Sequence, residues 1–297
     1  MRKHIRIWLG GVLAVATVSA IAGWYMNRHG VAVIDTAGQV GDKQRNLLFA
    51  CALLSVLVVV PVFWLLIHFS YKYREGNKNA QYHPHEHGNW QIEAVWWLIP
   101  TLLMVVISTI TWRSSYALDP FKPLESSKKP LTVEVVAMDW KWLFIYPDQN
   151  VASVNEAAIP VDTSVQFKLT SDTVMSSFWV PQLGGQMYAM TGMNTNLHLM
   201  ASRTGDFRGS DANISGKGFA DMHFMVRSMS DADFETWIQA AKGSDNSLTT
   251  EAYAKLAKPG AVKKPMFYSS AEAELYDTIM MKYMMPSGDT ETGEVNE

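Results

Sequence analysis

Four groups of residues in this chain have types and spacing that could do chemistry. The first is DANISGKGFADMHF, Asp211 to Phe224, where glycines let a loop turn and Met222 stands beside His223 near its end. Thioether and imidazole together suit copper. If the segment runs into a strand, however, the two side chains leave on opposite faces and cannot share an ion. The second is HPHEHGNW, with His83, His85 and His87 at alternate positions. Three imidazoles can hold zinc or copper, but proline and glycine place these in a loop, and a solvated turn is the plainer reading. The third is Glu93 in NWQIEAVWW, at the head of an apolar run. A carboxylate there is either an interfacial group or, facing a partner helix, a collector of protons, because ionisable groups in membrane helices mark proton paths. The fourth is the methionine set Met187, Met190 and Met193 in GGQMYAMTGM, which offers soft ligands or simply packing.

The totals remove several classes of function. There is one cysteine, Cys51, and it lies inside an apolar run. A single thiol excludes an internal disulfide and any paired-cysteine metal site. A net charge of −3 over 297 residues gives no bulk electrostatic case for a nucleic-acid partner.

The elements that must position these groups fall into two unlike halves. LLFACALLSVLVVVPVFWLLIHF, residues 47–69, and AVWWLIPTLLMVVISTITW, within 92–112, are each long enough to cross a hydrocarbon core of roughly 30 Å as helices. Tryptophans flank the second run as interfacial anchors. Lys72, Arg74 and Lys78 follow the first run directly, so the positive-inside rule puts the loop 70–91 in the cytoplasm. The lead-in 26–46 and everything after Trp112 then lie on the outer side of the membrane. Residues 1–25 carry a basic start, an apolar core and the small-residue stretch VSA, which fits either a cleaved signal peptide or an N-terminal membrane segment. With no cysteine there, a lipid anchor through a thioether is not expected.

After the linker DPFKPLESSKKP the pattern changes. LTVEVVAMDWKWLFIYP, SVQFKLTS, TNLHLMAS and MHFMVRS alternate and are rich in β-branched and aromatic residues, which predicts a β-sandwich or barrel over 118–229. SDADFETWIQAAK has a serine cap and apolar residues at helical spacing, as does AEAELYDTIMMKYMM, so 230–297 reads as a helical extension.

A two-span hairpin followed by an exported β-domain resembles subunit II of the haem–copper oxidases, and within them subunit II of the cytochrome bo-type ubiquinol oxidases. The residues that carry the resemblance are GQVGDKQRNLL, KYREGNKNAQY, EAVWWLIP, WKWLFIYP, FWVPQLGGQMYAMTGMNTNLHLMA and FRGSDANISGKGFADMHF. It implies an all-β, cupredoxin-like sandwich on a membrane α-helical hairpin, with C-terminal helices. It also implies a haem-bearing subunit I and other oxidase subunits as partners within the lipid bilayer of a bacterial inner membrane, with the lead-in 26–46 and the large C-terminal domain in the periplasm.

In the cytochrome c oxidase branch this sandwich holds a dinuclear copper. Laid on that pattern, the first histidine falls on Ser176, the two bridging cysteines on Asp211 and Ser215, the carbonyl ligand on Asn213 and the second histidine on Phe219. Only Met222 keeps its ligand type. The resemblance therefore implies no cofactor bound by this chain, with haems and copper in subunit I. It implies ubiquinol as electron donor to the complex and a noncatalytic role for this subunit. Trp140 and Trp142 match aromatic positions tied to electron entry in the cytochrome c branch and are read here as core and interface. Glu93 matches the carboxylate at the cytoplasmic mouth of a proton channel. The rival readings are a cytochrome c oxidase subunit II with a divergent copper site, opposed by the lone intramembrane cysteine, and a membrane-tethered copper-binding or chaperone protein, which would need no haem-bearing partner.

Overall fold

The computed structural model describes residues 30–77 and 88–284, together with 17, 21, 23–26 and 28. The loop of His83, His85 and His87, most of the segment 1–25 and residues 285–297 lie outside these. The chain divides into two compact units, residues 43–119 and the remainder.

In the first unit, α1 (Gln39–Lys72) and α2 (Trp90–Ala117) run 34 and 28 residues. Both are longer than the apolar runs 47–69 and 92–112, because polar turns continue the helix at each end. Asn89 caps α2, its side-chain oxygen accepting from the Gln91 N–H at 3.0 Å. Side chains along both helices are apolar on every face and nearly all exposed, which suits lipid rather than a soluble core. Pro61 and Pro100 lie inside them without ending them.

The second unit is a sandwich of two sheets. One contains, in spatial order, β11 (Met266–Tyr268), β3 (Val151–Val154), β2 (Lys141–Tyr146), β1 (Leu131–Met138), β5 (Val165–Ser171) and β8 (Thr195–Leu199). The other contains β4 (Glu156–Pro160), β10 (His223–Met229), β9 (Gly205–Asp211), β6 (Ser176–Trp179) and β7 (Gln186–Ala189). Side chains alternate along each strand. Val133, Val135, Trp142, Phe144 and Tyr146 point between the sheets, where Phe178 and Phe224 stack at 4.8 Å. Helix α3 (Asp231–Lys242) closes one end with Phe234, Ile238 and Ala241, and Ser230 caps it as the sequence predicts.

β2 is buried along its whole length, and its outer face explains why. Val136, Met138, Leu143 and Ile145 on that face are covered by α4 (Thr250–Leu256), β11 and α5 (Leu275–Met281), through Tyr253, Leu256, Tyr268, Tyr276 and Ile279. The boundary expected at residue 229 is therefore not a structural one. The extension supplies a strand, Phe267 opposite Ser153, and half of a second core.

The lead-in 26–46 also joins this unit in part. The Ala37 N–H donates to the Gln182 carbonyl at 2.7 Å, and the Ser202 N–H donates to the Ala37 carbonyl at 2.8 Å. Gly38 passes so close that a Cβ there would overlap the Met200 carbonyl oxygen. Only glycine fits this approach.

Candidate functional site

The loop 212–222 connects β9 to β10 at one end of the second sheet, and β6 lies alongside β9 with Phe178 opposite Asp211. This pairing brings together all the positions that the sequence comparison put at a copper site. Ser176 opens β6, Asp211 closes β9, and Asn213 and Ser215 follow in the loop. Phe219 opens a short 3-10 turn, and Met222 precedes β10.

A carboxylate organises them. Asp211 is almost fully buried. Its Oδ1 accepts from the Ser177 N–H at 2.7 Å and from the Asn213 N–H at 3.0 Å, and its Oδ2 accepts from the Ser215 hydroxyl at 2.9 Å. The Ser215 hydroxyl also stands 4.0 Å from the Met222 sulfur. The Asn213 side chain donates to the Met175 carbonyl at 2.8 Å, tying the loop to the turn before β6. At the position that the resemblance gives to the first bridging thiolate stands an acceptor that holds two strands and a loop together by hydrogen bonds.

These donors do not fit a dinuclear copper. Bridging two coppers requires soft thiolates, whereas the bridging positions here hold a hard carboxylate already satisfied by three N–H and O–H groups and a hydroxyl bonded to it. Met222 is buried in the core, and His223 leaves the strand on the other face, opposite Ser210. The two cannot share an ion. Among the described residues no three His, Cys, Asp or Glu side chains converge.

The other candidates separate. Met187 packs partly against the core, whereas Met193 is exposed. Trp142 is a core residue, set edge-on to Phe178 at 5.4 Å and to Phe224 at 5.5 Å. Trp140 sits in the β1–β2 turn with φ of 63° and lays its indole against Gly218, where a Cβ would overlap the ring. Glu93 stands in the first turn of α2, exposed, with its Oε1 folded back over Gly88. A negative charge is well placed at that helix end, where unpaired N–H groups point outward.

One cluster had no signal in the sequence. Asp172, buried in the turn after β5, accepts from the Tyr253 hydroxyl at 2.6 Å and the Lys282 ammonium at 2.8 Å. The Tyr283 hydroxyl reaches both its carboxylate, at 3.0 Å, and its carbonyl, at 2.6 Å. Burial, reinforced by the bond to Asp172, pushes the Tyr253 phenol far above its usual range. The same carboxylate raises the Lys282 ammonium.

Fold and site together define a class: a cupredoxin-like domain on a two-helix membrane hairpin, without the donors of a dinuclear copper. The chain belongs to the cytochrome c oxidase subunit II family. The family profile for its transmembrane domain matches residues 30–113, that for its periplasmic domain residues 148–229, and that for the aromatic-rich motif residues 242–287. The cytochrome bo(3) ubiquinol oxidase subunit 2 of Pseudomonas aeruginosa is 46% identical over 83% of this chain and 74% of its own length. The ubiquinol oxidase subunit 2 of Acetobacter aceti is 42% identical over 84% of this chain and 82% of its own. A crystal structure of the periplasmic domain of subunit II of cytochrome oxidase from Bradyrhizobium japonicum aligns with 40% of this chain and 96% of its own, at 26% identity and a TM-score of 0.37.

Proposed function

We propose that this chain serves a proton-pumping ubiquinol oxidase as a noncatalytic subunit, binding no metal itself, while subunit I holds the haems and the oxygen-reducing copper. The observation that carries the reading is the Asp211 network. Hydrogen bonds occupy the positions where the cytochrome c branch needs thiolates, which supports a domain without a copper relay. A soluble cytochrome docking outside needs such a relay, whereas a lipid quinol delivers electrons from within the bilayer. The names of the relatives point to the same donor.

The cytoplasmic placement of the loop 70–91 rests on Lys72, Arg74 and Lys78, with the sandwich in the periplasm. Glu93, at the loop end of α2, would then collect protons from the cytoplasm and present them to a wet path in subunit I.

The test is metal retention by the full chain. The chain, separated from its partners in mild detergent, is exposed to excess copper and dialysed. We expect no copper to remain and no mixed-valence absorption. Two tightly held coppers per chain with a purple spectrum would overturn the reading and make a cytochrome the donor.

A further inference from the structure

His68 is the one imidazole within the apolar run 47–69 of α1, which it shares with a single thiol, Cys51, and no carboxylate, lysine or arginine. A titratable group at such a position is costly in lipid and marks a place where the helix meets protein or water. The contacts that fix its ring are aromatic. It stacks on Trp64, one turn earlier, at 5.3 Å and 16°, and meets Phe69 edge-on at 5.5 Å. The imidazole is exposed on this chain, so its outer side is open to a neighbour.

Its depth matters more than its contacts. His68 lies four residues before the last residue of α1, Lys72, and Glu93 lies three residues after the first residue of α2, Trp90. At about 1.5 Å per residue, both fall within roughly one helical turn of the same end of the hairpin. Among the described residues the other charged groups at that end are Lys72, Arg74 and Glu75. The sequence of the loop beyond them adds Lys78, Glu86 and the imidazoles His83, His85 and His87, and Arg113 on α2 belongs to the far end. Two of the cations are turned onto rings of their own segment: Lys72 over Tyr73 at 5.2 Å, and Arg74 over Tyr71 at 4.2 Å.

We propose that His68 is a second proton-handling group at this mouth, relaying between Glu93 and the path in the partner subunit; this rests on the proton-entry reading of Glu93. The Glu93 carboxyl gives its proton through water to the neutral imidazole, and carboxylate and imidazolium result. The imidazolium then passes a proton to water on the partner's side and returns to neutral, and no electron moves. Imidazole suits the task because one ring nitrogen can accept a proton while the other donates one.

The experiment uses the intact oxidase with His68→Phe, which keeps the stack on Trp64 but cannot take a proton, His68→Gln, and Glu93→Gln. Turnover per haem, so that poor assembly does not count, is followed from about pH 6 to about pH 8.5, a range that straddles imidazole titration. We expect both His68 variants to match the parent at the acid end, where protons are abundant, and to fall roughly two- to fivefold below it at the alkaline end. Glu93→Gln should be slow throughout, with His68→Phe adding little to it. His68→Phe equal to the parent at every pH, beside a slow Glu93→Gln, would sink the relay alone. Loss in only one of the two His68 variants would mean a steric effect and also overturn it. Glu93→Gln at full rate would sink the proton-entry reading and the relay with it.

Discussion

At the scale of single residues, a carboxylate at position 211, where the resemblance places a thiolate, decides what holds the loop. A metal fixes its ligands by coordination, whereas Asp211, itself almost fully buried, fixes its neighbours by accepting three hydrogen bonds. Replacing it with alanine leaves the Ser177 and Asn213 N–H groups and the Ser215 hydroxyl without their acceptor. Unsatisfied buried donors cost more than the bonds gained, so Asp211→Ala should lose about 2–4 kcal/mol of domain stability. Denaturant unfolding of the full chain, followed by tryptophan signal, reads this directly. A loss below about 0.5 kcal/mol, typical of a surface change, would mean that the loop rehydrates freely. The residue types at Ser176, Asp211, Ser215 and Phe219 are legible in the sequence, and set beside the copper pattern of the resemblance they carry the expectation of a vacated site. The hydrogen-bond network around Asp211 was not legible: the Ser177 amide lies 34 positions from Asp211, and a backbone group leaves no trace in composition.

At the scale of elements, the clasp at Asp172 joins the turn after β5 to α4 and to the residues following α5. Its pH behaviour follows from the directions of the shifts. A phenol raised in the fold, like that of Tyr253, contributes stability fully present below its unfolded pKa and lost as pH rises beyond it. The raised ammonium of Lys282 has the same sign. The clasp should therefore hold through neutral pH and loosen above about pH 10, where unfolded tyrosine and lysine begin to lose protons. Protease cleavage within the segment 243–284 should rise over that range. Asp172→Asn should admit cleavage already at neutral pH and flatten the alkaline rise, whereas parent-like protection in that variant would assign the docking of the tail to apolar contact alone. None of this was visible beforehand, because the partners lie 81 and 110 positions from Asp172. Strands with clear alternation or strong β-formers, such as β1, β5, β8 and β10, and the serine-capped α3 could be read from sequence. β3 and β4 are short and built of small residues, β7 and β9 carry exposed polar positions, and α4 has only 7 residues, too few to show a helical period.

At the scale of the whole molecule, the sandwich must keep its shape beside the other oxidase subunits, and the tail does much of that. Val136, Met138, Leu143, Ile145 and Val154 form an apolar outer face on the first sheet, and residues after Lys242 cover it. Leaving each large side chain of this set in water forfeits about 1.5–3 kcal/mol. Over the face that loss rivals the roughly 5–15 kcal/mol that holds an ordinary domain together. β3 would also become a sheet edge once β11 is gone, with its ladder groups open to another chain. A chain cut after Lys242 should therefore fail to accumulate as a folded sandwich, and on the proposed function the oxidase should lose its haem with it. Membrane haem content and a protease-resistant fragment of the sandwich are the readouts. A folded, protease-resistant truncated domain in an active complex would mean that the two sheets suffice. The aromatic-rich segment would then be a passenger on a fold already complete, and the exposed outer face would have to be covered by another subunit.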